Sequence, residues 1–309
     1  SPSGTMDIYL PIANLSVNAF VIVLLGGLVG ILSGMFGVGG GFLTTPLLIF
    51  YGIPPTVAAA SASTQVTGAS ISGVAAHMRR KGVDFRMGGV LVVGGIFGTL
   101  IGTGLFQILQ RWGQIDTVIS VLYVLMLGGI GGLMAKESWG SVRALRSGNP
   151  LPPRKRRHHP LVANLPMRWR FYRSGLYISP IAPFILGVLT GILTMLLGVG
   201  GGFIMVPAML YLLGMGAQVV VGTSLFQILF VTIASTMMHS MTTRAVDIVL
   251  AALLLIGSVT GAQLGAKFAQ RLRPEYLRLS LAIMVLIVAV RMALGLGFQP
   301  DEIFTVQLL

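Results

Sequence analysis

Six neutral polar residues recur in two matched sets, Thr44, Ser61 and Gln65 in one and Thr223, Ser224 and Gln227 in the other, each in apolar surroundings. Hydroxyl and carboxamide groups donate hydrogen bonds without carrying charge, so such sets suit a small, weakly basic anion. Each set lies near a glycine stretch, Gly37-Val38-Gly39-Gly40-Gly41 or Gly198-Val199-Gly200-Gly201-Gly202. Four glycines in five residues disfavour continuous helix, so each stretch marks a break. Freed main-chain N–H groups at the start of a following helix attract negative charge. Gly39, Gly40, Gly41, Gly200, Gly201 and Gly202 are therefore candidate anion donors beside the six side chains. The competing roles are an interhelical hydrogen bond for each side chain and close helix packing for the glycines.

Free histidine titrates near neutral pH, so His77 and His239 are candidates for proton coupling. Each falls at the end of its apolar span beside a loop, so an interfacial structural role competes. Asp84 and Asp247 precede the next span, where a carboxylate neutralises a helix N-terminus. The sequence carries no metal-ligand spacing, nucleophile elbow or phosphate loop, so neither metal nor cofactor is expected. The glycine stretches are not dinucleotide loops, because no strand precedes them and no acidic residue follows at the required distance. An intramembrane enzyme would have only these histidines and aspartates to work with, and the topology below separates them.

The elements that must position these groups are read from composition and repetition. With 309 residues, 54% hydrophobic and 9% charged, the chain is too apolar for a soluble domain and reads as an all-α polytopic membrane protein. A net charge of +13 would suggest nucleic acid in a soluble protein, but here the basic residues sit between apolar spans. That placement points to membrane lipid and topology, with no nucleic acid. Cysteine is absent, which excludes disulfides and thiolate chemistry.

Apolar spans are expected at 17–36, 42–53, 56–78, 86–109 and 115–133, then at 180–197, 202–213, 217–241, 245–270 and 276–297. The run 42–53 covers only about 18 Å, less than a hydrocarbon core of about 30 Å. Whether it is re-entrant or leans on the glycine segment to cross is open at this point. The span 56–78 carries Ser61, Ser63, Thr64, Gln65, Thr67, Ser70 and Ser72 and is expected in the interior. Between the halves, 136–179 is a polar, proline-broken and basic loop. The domain organisation is thus a transmembrane repeat over 17–135, a basic cytoplasmic linker over 136–179, and a second transmembrane repeat over 180–297.

The halves match in order: Pro46 with Pro207 at an offset of 161, Gln65 with Gln227 and His77 with His239 at 162, and Asp84 with Asp247, Gly98 with Gly261 and Gly102 with Gly265 at 163. Placing the linker in the cytoplasm puts 18 of the 21 Lys and Arg residues there, all except Arg111, Arg244 and Arg291. The same loop is basic in one half and nearly neutral in the other, so the repeats are expected to be inverted, with both termini outside. Inverted repeats with broken helices are a recurrent design of secondary transporters. No Lys or Arg lies deep in a span, so an anion would be held by neutral donors.

The stretch Gly30 to Gly41, its copy from Gly187 to Gly202, the Gly222-Thr223-Ser224 triplet, and His77 and His239 followed by Val83-Asp84 and Val246-Asp247 resemble the TauE/SafE family of sulfite and organosulfonate exporters. The resemblance covers nearly the whole chain. It implies an integral permease of the bacterial inner membrane that moves sulfite or organosulfonates, usually outward. The chain departs from the pattern at Ser61-Ala62, opposite Thr223-Ser224, and in its long basic linker. A passive anion channel and a permease for another small anion, such as a carboxylate, are the alternatives. Partners expected are the anion, membrane lipid, a coupling proton or sodium ion and, as an assembly open to the chain, a homodimer.

Overall fold

A computed structural model describes residues 7–10, 15–36, 41–79, 81–148, 166–171, 176–198, 202–215, 217–243, 248–269, 271 and 274–297. Its elements are almost all helical, as hydrocarbon demands of backbone that cannot hydrogen-bond to water. The first half holds α1 (Ala19–Phe36), α2 (Gly41–Tyr51), α3 (Pro55–Arg79), α4 (Phe85–Arg111) and α5 (Ile115–Arg146). The second holds α6 (Ile181–Leu197), α7 (Gly202–Tyr211), α8 (Ala217–Met238), α9 (Ile248–Ala269) and α10 (Pro274–Gly297). A π-helical turn, His239–Thr243, extends α8. Among the described residues, α4, α5, 222–241 and 278–295 are each long and apolar enough to cross a membrane. The chain is an all-α polytopic membrane protein.

Local chemistry sets the ends of these helices. Each short helix stops at a left-handed glycine, Gly52 with φ 107° after α2 and Gly214 with φ 72° after α7. Ile53 N–H and Met215 N–H then reach back to Leu48 O at 3.0 Å and Met209 O at 3.1 Å, satisfying carbonyls that the helix end would orphan. Pro55 opens α3, where its missing N–H costs nothing. Asp84 caps α4 by accepting from Met87 N–H at 3.1 Å.

The α2 helix turns back along α1. Asn18 N–H donates to Tyr51 Oη at 3.1 Å, so the end of α2 lies beside the start of α1. Ile22 near the start of α1 shares an apolar cluster with Leu48, Ile53 and Val57. The α1 and α2 helices therefore pack as a hairpin. In the second half, Met209 and Leu213 return likewise to Ile178 and Ala182 beside the start of α6.

Two features differ from the sequence reading. The fifth span does not end at 133: α5 continues to Arg146, so the first part of 136–179 is helix instead of loop. At about 1.5 Å per residue its 32 residues reach well past the hydrocarbon core, carrying Lys136, Arg143 and Arg146 clear of it. Strands also form where none was expected, pairing Asp7–Leu10 with Leu15–Asn18 and Trp169–Phe171 with Leu176–Ile178. Both hairpins lie just before the broken helix of their half, at α1 and α6.

Packing joins the halves closely. The α1 helix runs in the same sense as α9, with Gly26 against Leu254 and Gly30 against Ser258. The counterpart pair is α6 with α4, with Gly187 against Leu91 and Gly191 against Gly95. A Cβ added at Gly98 would stand 2.1 Å from Val188 O, and one added at Gly261 would stand 2.1 Å from Gly27 O. Only glycine permits that approach, and in lipid such close packing replaces the hydrophobic drive between helices. The α3 and α8 helices run in opposite senses. Ser63 near the start of α3 meets Ser235 near the end of α8, while Val66 and Val74 cluster with Leu225 and Ile228.

Candidate functional site in the α3–α8 crossing

The polar span α3 lies in the interior, with Ser61, Ser63, Gln65 and Ser70 all buried. Facing it, α8 buries Thr223, Ser224, Gln227, Thr232 and Ser235. Polar groups taken into such surroundings are costly unless partnered. Most are. Thr44 Oγ1 donates to Gln65 Oε1 at 2.8 Å, and Gln65 Nε2 donates to Ser258 Oγ at 2.8 Å. Thr223 Oγ1 accepts from Asp84 N–H at 3.0 Å. Gln227 Nε2 donates to Thr190 Oγ1 at 3.3 Å.

Among the described residues, the buried side-chain polar atoms left without a partner are Ser70 Oγ, Ser224 Oγ and Gln227 Oε1. They come to similar depth. Because α3 and α8 are antiparallel and Ser63 meets Ser235, moving seven residues along α3 and seven back along α8 sets Ser70 level with Ile228, next to Gln227. Ser224 is one turn further towards the start of α8. Ser70 lies with Ser63 on the stripe that faces α8, and Gln227 faces α4 and α6, where Gly95 and Thr190 stand. Three unpartnered buried atoms at similar depth on α3 and α8 make this the candidate ligand site.

The end of α6 is held from the first half. Leu197 O accepts from Thr45 Oγ1 at 3.1 Å and from Tyr123 Oη at 2.5 Å. Gly198 adopts φ 69° and a Cβ there would stand 2.1 Å from Ala59 O, so both its backbone angle and its neighbour require glycine. The second break is thus anchored where it begins.

Of the residues expected from sequence, Thr44 and Gln65 meet each other, and Thr223, Ser224 and Gln227 share one part of α8. Ser61 is buried on α3. Gly41 and Gly202 are the first residues of α2 and α7. Gly39, Gly40, Gly200 and Gly201 lie outside the described residues, as does Asp247, and nothing is described of the His77 side chain.

His239 departs from its expected place at an interface. It is fully buried at the head of the π-helical turn, with Nε2 2.9 Å from Met195 O and its ring edge-on to Phe106 at 4.8 Å. The reason is that α4 and α6 cover this end of α8. Arg291 is exposed on α10, as a side chain reaching for a headgroup would be. Among the described residues no Lys or Arg is buried.

Sequence reasoning missed Ser70, Thr190 and Ser258 as members of these networks. Ser70 was visible as one of many hydroxyls on a polar span, but nothing local marked it as the unpartnered one. Ser258 had a readable signal: it stands 163 residues after Gly95, so a polar residue in one half answers a glycine in the other.

A polytopic helical protein with broken hairpins and a buried neutral polar centre has the character of a membrane transporter. The profile of the sulfite exporter TauE/SafE family matches residues 22–292. The chain belongs to that family. Its relatives include the probable membrane transporter protein YjnA of Bacillus subtilis, 30% identical over 86% of this chain and 96% of its own. Another from the same organism, the probable membrane transporter protein YunE, is 25% identical over 87% and 94%. The probable membrane transporter protein MJ0441 of Methanocaldococcus jannaschii is 25% identical over 85% and 90%. No solved structure matches the chain.

Proposed function

We propose that the chain is a secondary transporter, working as an exporter, for small sulfur-containing anions such as sulfite or organosulfonates. The observation that carries this reading is the unpartnered trio Ser70 Oγ, Ser224 Oγ and Gln227 Oε1, buried in a crossing where no Lys or Arg is buried among the described residues. Neutral hydrogen-bonding groups can hold a weakly basic anion and release it, whereas a buried cation would bind it with a strength hard to reverse. Thr223 adds a hydroxyl whose proton is not used by the Asp84 contact, since there it accepts. The amides at Gly200, Gly201 and Gly202, ahead of and opening α7, complete the shell on this reading. On this reading the matching amides at Gly39, Gly40 and Gly41 contribute to the same single site from the first half.

Alternating access is supported by the way the halves interlock. Contacts of α1 with α9 repeat in α6 with α4, while α3 and α8, which are counterparts, run in opposite senses. Two matched units with antiparallel counterparts favour an inverted pair that can exchange conformations across the membrane. The basic linker then lies in the cytoplasm of a bacterial cell whose inner membrane holds the protein. His77 and His239 are the candidates for proton coupling, with sodium as the alternative ion.

Flux into proteoliposomes tests the reading. Sulfite or a short sulfonate should move with saturating kinetics and respond to an imposed proton or sodium gradient. Uptake that follows voltage alone and ignores both gradients would identify a passive channel. Transport of carboxylates to the exclusion of every sulfur anion would contradict the substrate class.

A further inference from the structure

Gln65 and Gln227 occupy equivalent positions but use their carboxamides differently. Gln65 engages both ends, with Thr44 on Oε1 and Ser258 on Nε2. Gln227 has a partner at Nε2 and none at Oε1. The assignment of its amide follows from Thr190, whose hydroxyl donates to Leu186 O and Gly187 O, each at 3.0 Å. Only lone pairs remain on that hydroxyl for Gln227, which must therefore present N–H to it and turn its oxygen away. The counterpart of Thr44 is Met205 and that of Ser258 is Gly95, at the offsets that relate the two halves. Neither supplies a side-chain donor. Met205 is itself fully buried.

Resting on the transport reading above, we propose that the ligand brings its own hydrogen-bond donor to Gln227 Oε1. Two sources share that chemistry: a singly protonated oxyanion, and a sulfonate bearing an O–H or N–H group. The hydroxyls of Ser224 and Ser70 donate to the anionic oxygens of the same ligand. A fully deprotonated dianion is rejected, because it would set lone pairs against a carboxamide oxygen where no Lys or Arg is buried among the described residues to compensate. In the first half Thr44 already fills the equivalent acceptor, so Gln65 acts as a strut and one ligand binds per chain.

The full chain in detergent micelles, titrated by calorimetry, tests this with methanesulfonate, hydroxymethanesulfonate, and sulfite on either side of its second ionisation. Hydroxymethanesulfonate should bind roughly ten- to a hundredfold tighter than methanesulfonate, the loss expected when a buried acceptor stays unpaired. Sulfite should bind only in its singly protonated form, and whichever of the two donor-bearing ligands binds tighter identifies the source. Met205→Thr, which places a hydroxyl where Thr44 stands in the other half, should erase the preference. Gln227→Met keeps the volume, removes the acceptor and should erase it too, so the outcome does not depend on one variant folding. Equal affinity for the two sulfonates in the wild-type chain would overturn the proposal while leaving an anion site. A preference that survives Gln227→Met would overturn it as well, by assigning the acceptor elsewhere. Binding of none of the three ligands would remove the sulfur-anion reading beneath it, and the proposal with it.

Discussion

Gln65 and Gln227 stand 162 residues apart in two halves whose sequence landmarks recur in the same order, and their surroundings differ in opposite directions. Around Gln65 the chain has Thr44, Ser258 and the small Ala69, and the carboxamide is tied at both ends. Around Gln227 it has Gly95 and the larger Val231, with Met205 as the sequence counterpart of Thr44, and one end is left open. Volume is traded across each crossing: Ser258 with Ala69 in one half answers Gly95 with Val231 in the other. Backbone packing is kept, since Gly30 against Ser258 and Gly191 against Gly95 are the same contact. The lesson is that the two halves share their helix packing while their polar partners differ: Gln65 is tied at both ends, and Gln227 keeps an unpaired group.

The largest effect tests the part of the comparison that the halves share. Gly98→Val and Gly261→Val each drive a side chain into backbone that would lie 2.1 Å from a Cβ. Both should cost about 3 kcal/mol or more, seen as a large drop in thermal midpoint in detergent. Similar losses sharpen the equivalence of the two packed pairs; tolerance of either substitution would break it. The next effect tests where the halves differ. Thr44→Val leaves Gln65 Oε1 buried and unpaired, and should cost roughly 1–3 kcal/mol of stability by the same assay. No change would mean that the Thr44–Gln65–Ser258 chain braces nothing.

Helix caps give smaller effects. Asp84→Ala removes the side-chain acceptor for Met87 N–H and should cost about 1 kcal/mol. Asp247→Ala should match it if the second half caps its own helix in the same way, and a much smaller loss there would limit the correspondence. The smallest change is expected at Asp116, exposed on the first turn of α5, which accepts from Thr56 N–H at 3.2 Å and from Thr56 Oγ1. Asp116→Asn keeps an acceptor and loses the charge, so the cost should be at or below about 0.5 kcal/mol and should shrink further with added salt.

Much of this architecture could be read from the sequence because membrane helices advertise themselves. Apolar length, glycine breaks at a fixed offset and the polar span 56–78 gave the helices in order, and the interior place of α3 followed from its seven Ser, Thr and Gln residues between Ser61 and Ser72. The extension of α5 to Arg146 is hidden in the sequence because charged residues there read as the end of a span. Lys136, Arg143 and Arg146 end the hydrocarbon stretch, but their helix propensity lets the helix run on into water. His239 was misplaced for a related reason, since one span read alone does not show that α4 and α6 cover its end. The candidate site was legible as a set of residue types. Which of them are satisfied was not, because Gln65 and Gln227 are the same letter and differ only through residues brought in from other helices.

Equilibrium affinity of hydroxymethanesulfonate for Gln65→Met and Gln227→Met, measured in one detergent, is the most direct test of that asymmetry. Both variants preserve side-chain volume and remove the carboxamide. Gln227→Met should lose roughly ten- to a hundredfold in affinity. Gln65→Met should lower thermal stability, with affinity kept within about threefold, a shift under 1 kcal/mol. Equal losses of affinity in the two variants, or a loss confined to Gln65→Met, would contradict that asymmetry.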